Sequence, residues 1–288
     1  MEQLFSFFLY FIIITCIYGI LAISLDLQVG SCGLVNFGQI MFLLVGAYTT
    51  AIAVNNGISI PVSILLSIVV CALVGVLLSL TVRNLSGTYW GILTLSVAEL
   101  LRLIVLNERW IGDGANGLTI AASVPYFSAV VLGCTALVYL LCRLLVSSPF
   151  GRVIRLIREG DRLPEALGKN VLVYKMETIA IGGGIGGLAG SLYAFLQSYI
   201  NPEDGLPIET FIIWAMVILG GRGNVTGILA GAVIIQLFFV GTRFLPDIVG
   251  IAPDIFSALR MVLIGLLIMF VMMLRREGML PEPKRIYR

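Results

Sequence analysis

The residues best equipped for chemistry lie in one soluble-looking stretch and at three polar positions inside apolar runs. From Ser147 to Gly168 charge alternates with apolar residues, and Arg152, Arg155 and Arg158 recur every third position beside Glu159 and Glu165. Ser148 reads as a helix cap and Pro149 as a first-turn residue, with apolar residues at Phe150, Val153, Ile154 and Ile157 forming one face. Gly160 stops this helix. A second short helix follows from Asp161 or Leu163, runs through Glu165, Ala166 and Leu167, and ends at Gly168. Two readings stand for this knob: a basic helix pair lying on anionic lipid, or a docking surface for a protein partner.

Inside the apolar runs, Glu99 and Arg102 lie three residues apart on one helical face, where they can pair with each other or line a solute pathway. Asp26, Gln28, Ser31, Asn36 and Gln39 cluster where Gly30, Gly33 and Gly38 would break a helix. Broken helices are tolerated at membrane depth only against protein or a water-filled cavity, so Asn36 and Gln39 join Glu99 as candidate pathway residues. There is no histidine, and the five cysteines show no CxxC spacing, so neither a general base of the commonest kind nor a zinc site is expected. No GxxxxGK[ST] phosphate loop occurs, and the chain is not expected to bind or hydrolyse ATP itself.

The elements that position these residues follow from composition. With 59% hydrophobic and 12% charged residues and a mean hydropathy of +1.05, a chain of 288 residues cannot hide its apolar side chains in one soluble core. It reads as an all-α polytopic membrane protein, one transmembrane domain over 1–288, with the soluble-looking segment at 147–175. Apolar runs at 5–25, 34–54, 58–80, 89–106, 124–146, 176–197, 207–221, 225–246 and 254–274 give about nine crossings, with eight to ten as the range. The first run lacks a basic start and a small-residue cleavage site, and is expected to be retained.

If the 147–175 segment is cytoplasmic, the N-terminus lies outside and the C-terminus inside. Arg83, Arg222, the seven cations from Arg143 to Lys175 and the five from Arg275 to Arg288 then fall inside, 14 against 4 outside. The positive clusters therefore follow membrane topology, not nucleic acid. Gly182, Gly186 and Gly190, with Gly183 and Gly187 beside them, form helix-packing rows, and Gly223, Gly227 and Gly231 repeat the device.

Several segments together resemble the inner-membrane permease family of high-affinity branched-chain amino acid importers, in particular its M-type (LivM-like) subunits. They are Gly33 to Gln39 leading to Gly46-Ala47-Tyr48, Gly87 to Leu95 with Glu99 to Arg102, and Gly114 to Gly117. Further marks are Gly151-Arg152 through Arg158-Glu159 to Ala166-Leu167-Gly168, Gly187 to Ala194, and Leu219 to Asn224 with Gly227.

The resemblance implies the vitamin-importer type of permease architecture in a bacterial inner membrane, with a cytoplasmic C-terminus. It implies a heterodimer with an H-type permease, a periplasmic binding protein outside and two ATPase subunits inside, which carry the ATP and magnesium. Gly151, Arg152, Arg155, Arg158, Glu159, Gly160, Glu165, Ala166 and Gly168 then belong to the segment that couples to the ATPases. The same permease pattern serves importers of urea and short amides. Gly160 to Pro164 and Lys169 depart from the usual family pattern. An ATP-independent secondary transporter is the competing class, but it predicts an internal repeat and buried ion-coupling carboxylates, and only Glu99 sits deep.

Overall fold

The structure, a computed structural model, describes residues 2–81, 87–120, 122 and 124–241, with scattered positions between 262 and 280. Its helices are α1 (Glu2–Asp26), α2 (Ile40–Asn55), α3 (Ile60–Thr81), α4 (Gly87–Asn107), α5 (Arg109–Gly112), α6 (Phe127–Ser147), α7 (Pro149–Glu159), α8 (Arg162–Ala166), α9 (Val171–Gln197), α10 (Pro207–Gly220) and α11 (Val225–Gly241). Two-residue strands β1 (Leu118–Thr119) and β2 (Tyr199–Ile200) pair antiparallel. Ser6–Ser31, Ile60–Leu80, Tyr89–Asn107, Phe127–Ser147 and Val171–Gln197 are long and apolar enough to cross a membrane. Together with the shorter apolar helices α2, α10 and α11, they make the chain an all-α, multi-pass membrane protein.

Eight of the nine expected spans coincide with these helices among the described residues; the ninth, 254–274, lies mostly outside them. The largest displacement is at the second span, which begins at Ile40 and not at 34. Between α1 and α2 the chain makes a π-helical turn at Leu27–Ser31, capped by Cys32, and then runs without helix through 33–39. Gly33, at φ 77, takes the left-handed conformation that this exit needs.

Contacts sort the loops into two ends. At one end β1 meets β2, Asn55 Nδ2 donates to Thr119 O at 2.9 Å, and the Tyr199 hydroxyl donates to Asn116 O at 2.7 Å. At the other end the Gly223 amide donates to Asp26 Oδ1 at 2.8 Å, and the Arg158 guanidinium donates to Gly30 O. This division is the one that alternating crossings require.

The core sits around α9, whose two glycine rows serve two neighbours. A methyl group on Gly186 would come within 2.6 Å of Phe42 Cβ on α2, and one on Gly190 would strike Leu43 O. The second row faces α3, where a methyl on Gly187 would lie 2.8 Å from Cys71 Cβ. Backbones can approach this closely only without side chains between them. In the α10–α11 pair Gly220 meets Gly227 and Gly231, whereas Gly223, expected in the same row, lies in the turn before α11 at φ 80.

Leucines on the far sides of α3 and α6, such as Leu77 and Leu144, are more than 60% exposed and face lipid. A Gly187→Val substitution is expected to destabilise the protein by about 1–3 kcal/mol through overpacking. Gly133→Ala, in the interior of α6 where nothing lies within 4 Å, is expected to raise stability slightly, by up to about 1 kcal/mol. Thermal midpoints in one detergent check the pair.

Candidate functional site

The unwound stretch 33–39 gives up helical hydrogen bonds where water is scarce, so side chains must replace them. Asn36 Nδ2 donates to Gln28 Oε1 at 2.8 Å and to Gln39 Oε1 at 3.2 Å, and Gln28 Nε2 donates to Gln39 Oε1 at 3.0 Å. Gln39 Nε2 reaches Ser24 Oγ at 2.8 Å, and that hydroxyl donates to Gly182 O at 2.6 Å. The backbone is served in the same way. Gly38 N donates to Asn36 Oδ1, Phe37 N to Thr94 Oγ1 and Ile40 N to Thr210 Oγ1, while Asn36 O accepts from Trp214 Nε1 at 2.9 Å. Helices α1, α4, α9 and α10 thus each send a group to one knot of amides. Gln28, Asn36 and Gln39 have no solvent exposure.

The three candidate pathway residues part company here. Asn36 and Gln39 lie inside the knot, and Glu99 lines an open groove of about 760 Å³ between α4 and the start of α10. Leu95, Leu100, Leu103 and Phe211 give the groove its apolar wall, and Ser96, Asn107 and Glu108 add polar groups. Arg102 holds Glu99 bidentately, Nε to Oε2 at 2.9 Å and Nη2 to Oε1 at 2.5 Å. The glutamate thus both pairs with the arginine and faces the groove. Beside its outer end, the 3₁₀ turn Pro202–Gly205 is closed by Asn201, whose amide donates to Asp204 Oδ2 at 2.9 Å. Burial raises the Asp204 carboxyl above its usual range, opposed by the Asn201 amide and the Tyr193 hydroxyl.

At the other end, α7 and α8 form where the sequence predicts them. The Ser148 hydroxyl accepts from the Gly151 amide, Pro149 occupies the first turn, and α7 stops at Gly160, at φ 151. Gly168, at φ 73, closes the turn after α8, and Asn170 caps α9 by accepting from Val173 N at 3.4 Å. Gly151 has no room for a side chain, since a methyl would strike Val146 O. Arg155 turns inward, donating to Gly151 O at 3.2 Å and Val146 O at 3.0 Å. Arg158 reaches the break at Gly30 O. Arg152, Glu159, Glu165 and Ala166 are exposed. Lys175 pairs with Asp161 at 2.7 Å and steadies the loop between α7 and α8.

Ile154 and Ile157 pack with Leu27, Cys32, Val146 and Val171, which buries one face of α7. Helix α8 is bare apart from Pro164. Leu163 and Leu167 are 56% and 63% exposed and form an apolar spot between charged neighbours. Sequence reasoning passed over these leucines, and also over Ser24, Thr94, Thr210 and Trp214. A lone hydroxyl in an apolar run is the signal that could have found Thr94 and Thr210.

The model of the family described as branched-chain amino acid transport system / permease component matches residues 7–272. Over 92% of this chain and 91% of its own length, a probable branched-chain amino acid transport permease protein LivM from Methanocaldococcus jannaschii is 29% identical. The high-affinity branched-chain amino acid transport system permease protein LivM of Salmonella typhimurium is 28% identical over 93% of this chain and 68% of its own. A probable LivH permease protein of the same Methanocaldococcus is 27% identical over 76% of this chain and 74% of its own. No solved structure matches the chain.

The knot makes a direct prediction. Asn36→Leu removes the donor to Gln28 and Gln39 and the acceptor for Gly38 N. Buried polar groups left unpaired cost about 1–3 kcal/mol each. A clear drop in thermal midpoint is expected for Asn36→Leu, and a smaller one for Ser96→Ala on the exposed side of α4.

Proposed function

The chain belongs to the family of branched-chain amino acid transport system permease components, and we propose that it is the M-type permease subunit of an ATP-driven importer. It pairs with an H-type permease in the cytoplasmic membrane and receives branched-chain or related amino acids from an external binding protein. Two ATPase subunits, which carry the nucleotide and its magnesium, drive the exchange of outward and inward access. The residues of this chain supply no hydrolytic chemistry.

One observation carries this reading: the α7–α8 pair buries one face against the bundle and leaves the other bare, with Leu163 and Leu167 uncovered. A helix pair lying on lipid would keep its apolar face outward. Here the apolar face of α7 is turned into the protein, which favours protein docking through α8. The presence of both a LivM and a LivH among the relatives, from one organism, supports a heterodimer. The excess of Lys and Arg at 143–175 supports a cytoplasmic position for the pair and for the C-terminus.

The α4–α10 groove is the part of this chain suited to lining the pathway. Glu99 meets the ammonium group of an amino acid, and Leu103 and Phe211 meet an aliphatic side chain. Asn36 and Gln39 hold the segment whose Phe37 and Ile40 amides bond Thr94 and Thr210 beside the groove, and so support it from within.

Two outcomes are expected when the chain is expressed with candidate ATPases, an H-type permease and a binding protein. Wild type should co-purify with the ATPases, and Leu163→Glu combined with Leu167→Glu should release them. A wild type that never retains an ATPase overturns the importer reading. Separately, Glu99→Gln should lower uptake by about tenfold or more, corresponding to roughly 1.4 kcal/mol per decade, while ATPase retention stays unchanged.

A further inference from the structure

Helix α7 touches the bundle at a place that leads directly to the groove. The Arg158 guanidinium donates to the carbonyl of Gly30, in the π-helical turn that ends α1. Gly33, three residues on, leaves its bare Cα against the same arginine: a methyl there would come within 3.2 Å of Arg158 Cα. Ile154 and Ile157 add apolar contact with Leu27 and Cys32. Beyond Gly33 the chain passes through the amide knot and presents Phe37 to α10, with ring centroids 5.3 Å from Trp214 and 5.9 Å from Phe211. Phe211 lines the groove. The Phe37 amide is bonded to Thr94, next to the groove residues Leu95 and Ser96.

From this contiguous arrangement we infer that segment 30–39, the π-helical end of α1 and the unwound stretch after it, is the transmission element between the coupling helix and the solute groove, with Arg158 and Phe37 as its two positioning residues. The inference rests on the importer reading above. Arg158 is exposed at the surface of α7, yet its guanidinium turns inward to Gly30 O, and its role lies in that contact and not in holding the ATPase. The other neighbours of α7 are α6 and α9, continuous helices whose backbone bonds resist shear. Segment 33–39 has no such regular ladder and, beyond Leu34, is held by side chains that can exchange partners, so displacement of α7 is taken up there first. When α7 moves, it draws on Gly30 and Gly33, and the knot passes the shift to Phe37. The Phe37 ring then repacks against Phe211 and alters the groove wall. A chain of contacts becomes a transmission path only if its ends are energetically coupled, and the test measures that coupling.

The test uses the whole complex in proteoliposomes, scoring ATPase retention, ATP hydrolysis and uptake per ATP. Arg158→Ala should keep the ATPases bound and hydrolysing, but lower uptake per ATP about tenfold, within the usual span of intersite coupling. Arg158→Lys, which can still donate to Gly30 O, should restore most of it. If Arg158→Ala fails to fold and accumulate in the membrane, Arg158→Gln takes its place, and the same loss relative to Arg158→Lys is expected. Phe37→Leu should uncouple to a similar degree, and combining it with Arg158→Ala should cost no more than either alone.

Release of the ATPases by Arg158→Ala, full transport by Arg158→Ala or by Phe37→Leu, or multiplied losses in the double variant would each overturn the inference and leave the importer reading standing. A wild type without ATPases defeats that reading itself and the inference with it.

Discussion

A run of non-helical backbone at membrane depth is the constraint around which this structure is built. Every amide from 33 to 39 that leaves the helical ladder needs a partner, because hydrocarbon offers none. The chain meets this demand with carboxamides, which donate and accept at once, and so can bridge a backbone that has lost its regular pattern. Gln28, Asn36 and Gln39 close on one another, and Thr94, Thr210 and Trp214 fix the backbone from two further helices. The positions of α4 and α10 are therefore set by hydrogen bonds to a segment that neither helix contains. Apolar packing alone could not do this, since lipid tails compete with side chains for every apolar face.

The glycine rows of α9 follow from the same demand. Ser24 can donate to Gly182 O only if α1 and α9 come close, and a methyl on Gly182 would fall on the Gln28 amide. Gly186 and Gly190 continue that approach along α2, and Gly183 and Gly187 extend it to α3. One helix thus serves three neighbours at near-backbone distance, with the knot at their shared level. The remaining faces of α3 and α6 carry exposed leucines and valines, the composition that lipid tails accommodate.

Much of this was legible in the sequence, and the failures have physical causes. Helix ends with chemical signals were readable: Ser148 and Pro149 start α7, Gly160 ends it, and the structure places them so. The break was readable from its glycines and polar residues, but its extent was not. Val35 and Phe37 look like span residues, and hydropathy cannot tell a helical apolar residue from one held extended by a threonine on another helix. The Glu99–Arg102 pair followed from its spacing, whereas the facing of that pair onto a groove depends on α10, more than a hundred residues away in sequence. Leu163 and Leu167 were invisible as surface residues because amphipathic reading expects leucines to be covered.

Helix α4 shows how a charge pair can suit passage better than capture. A lone carboxylate on this face would be costly in the bilayer and would bind a cation tightly. Glu99 is already bonded through both oxygens to Arg102, so its charge is compensated within one helix. On the proposed reading, an incoming ammonium group must compete with that guanidinium and gains only the difference between two similar interactions. The surrounding wall of leucines and Phe211 favours an aliphatic side chain but offers it no closed pocket, because the groove is open along its length. A subunit that takes solute from a binding protein and then releases it inward needs this balance: enough polarity to admit a zwitterion, and an internal competitor that keeps it from staying.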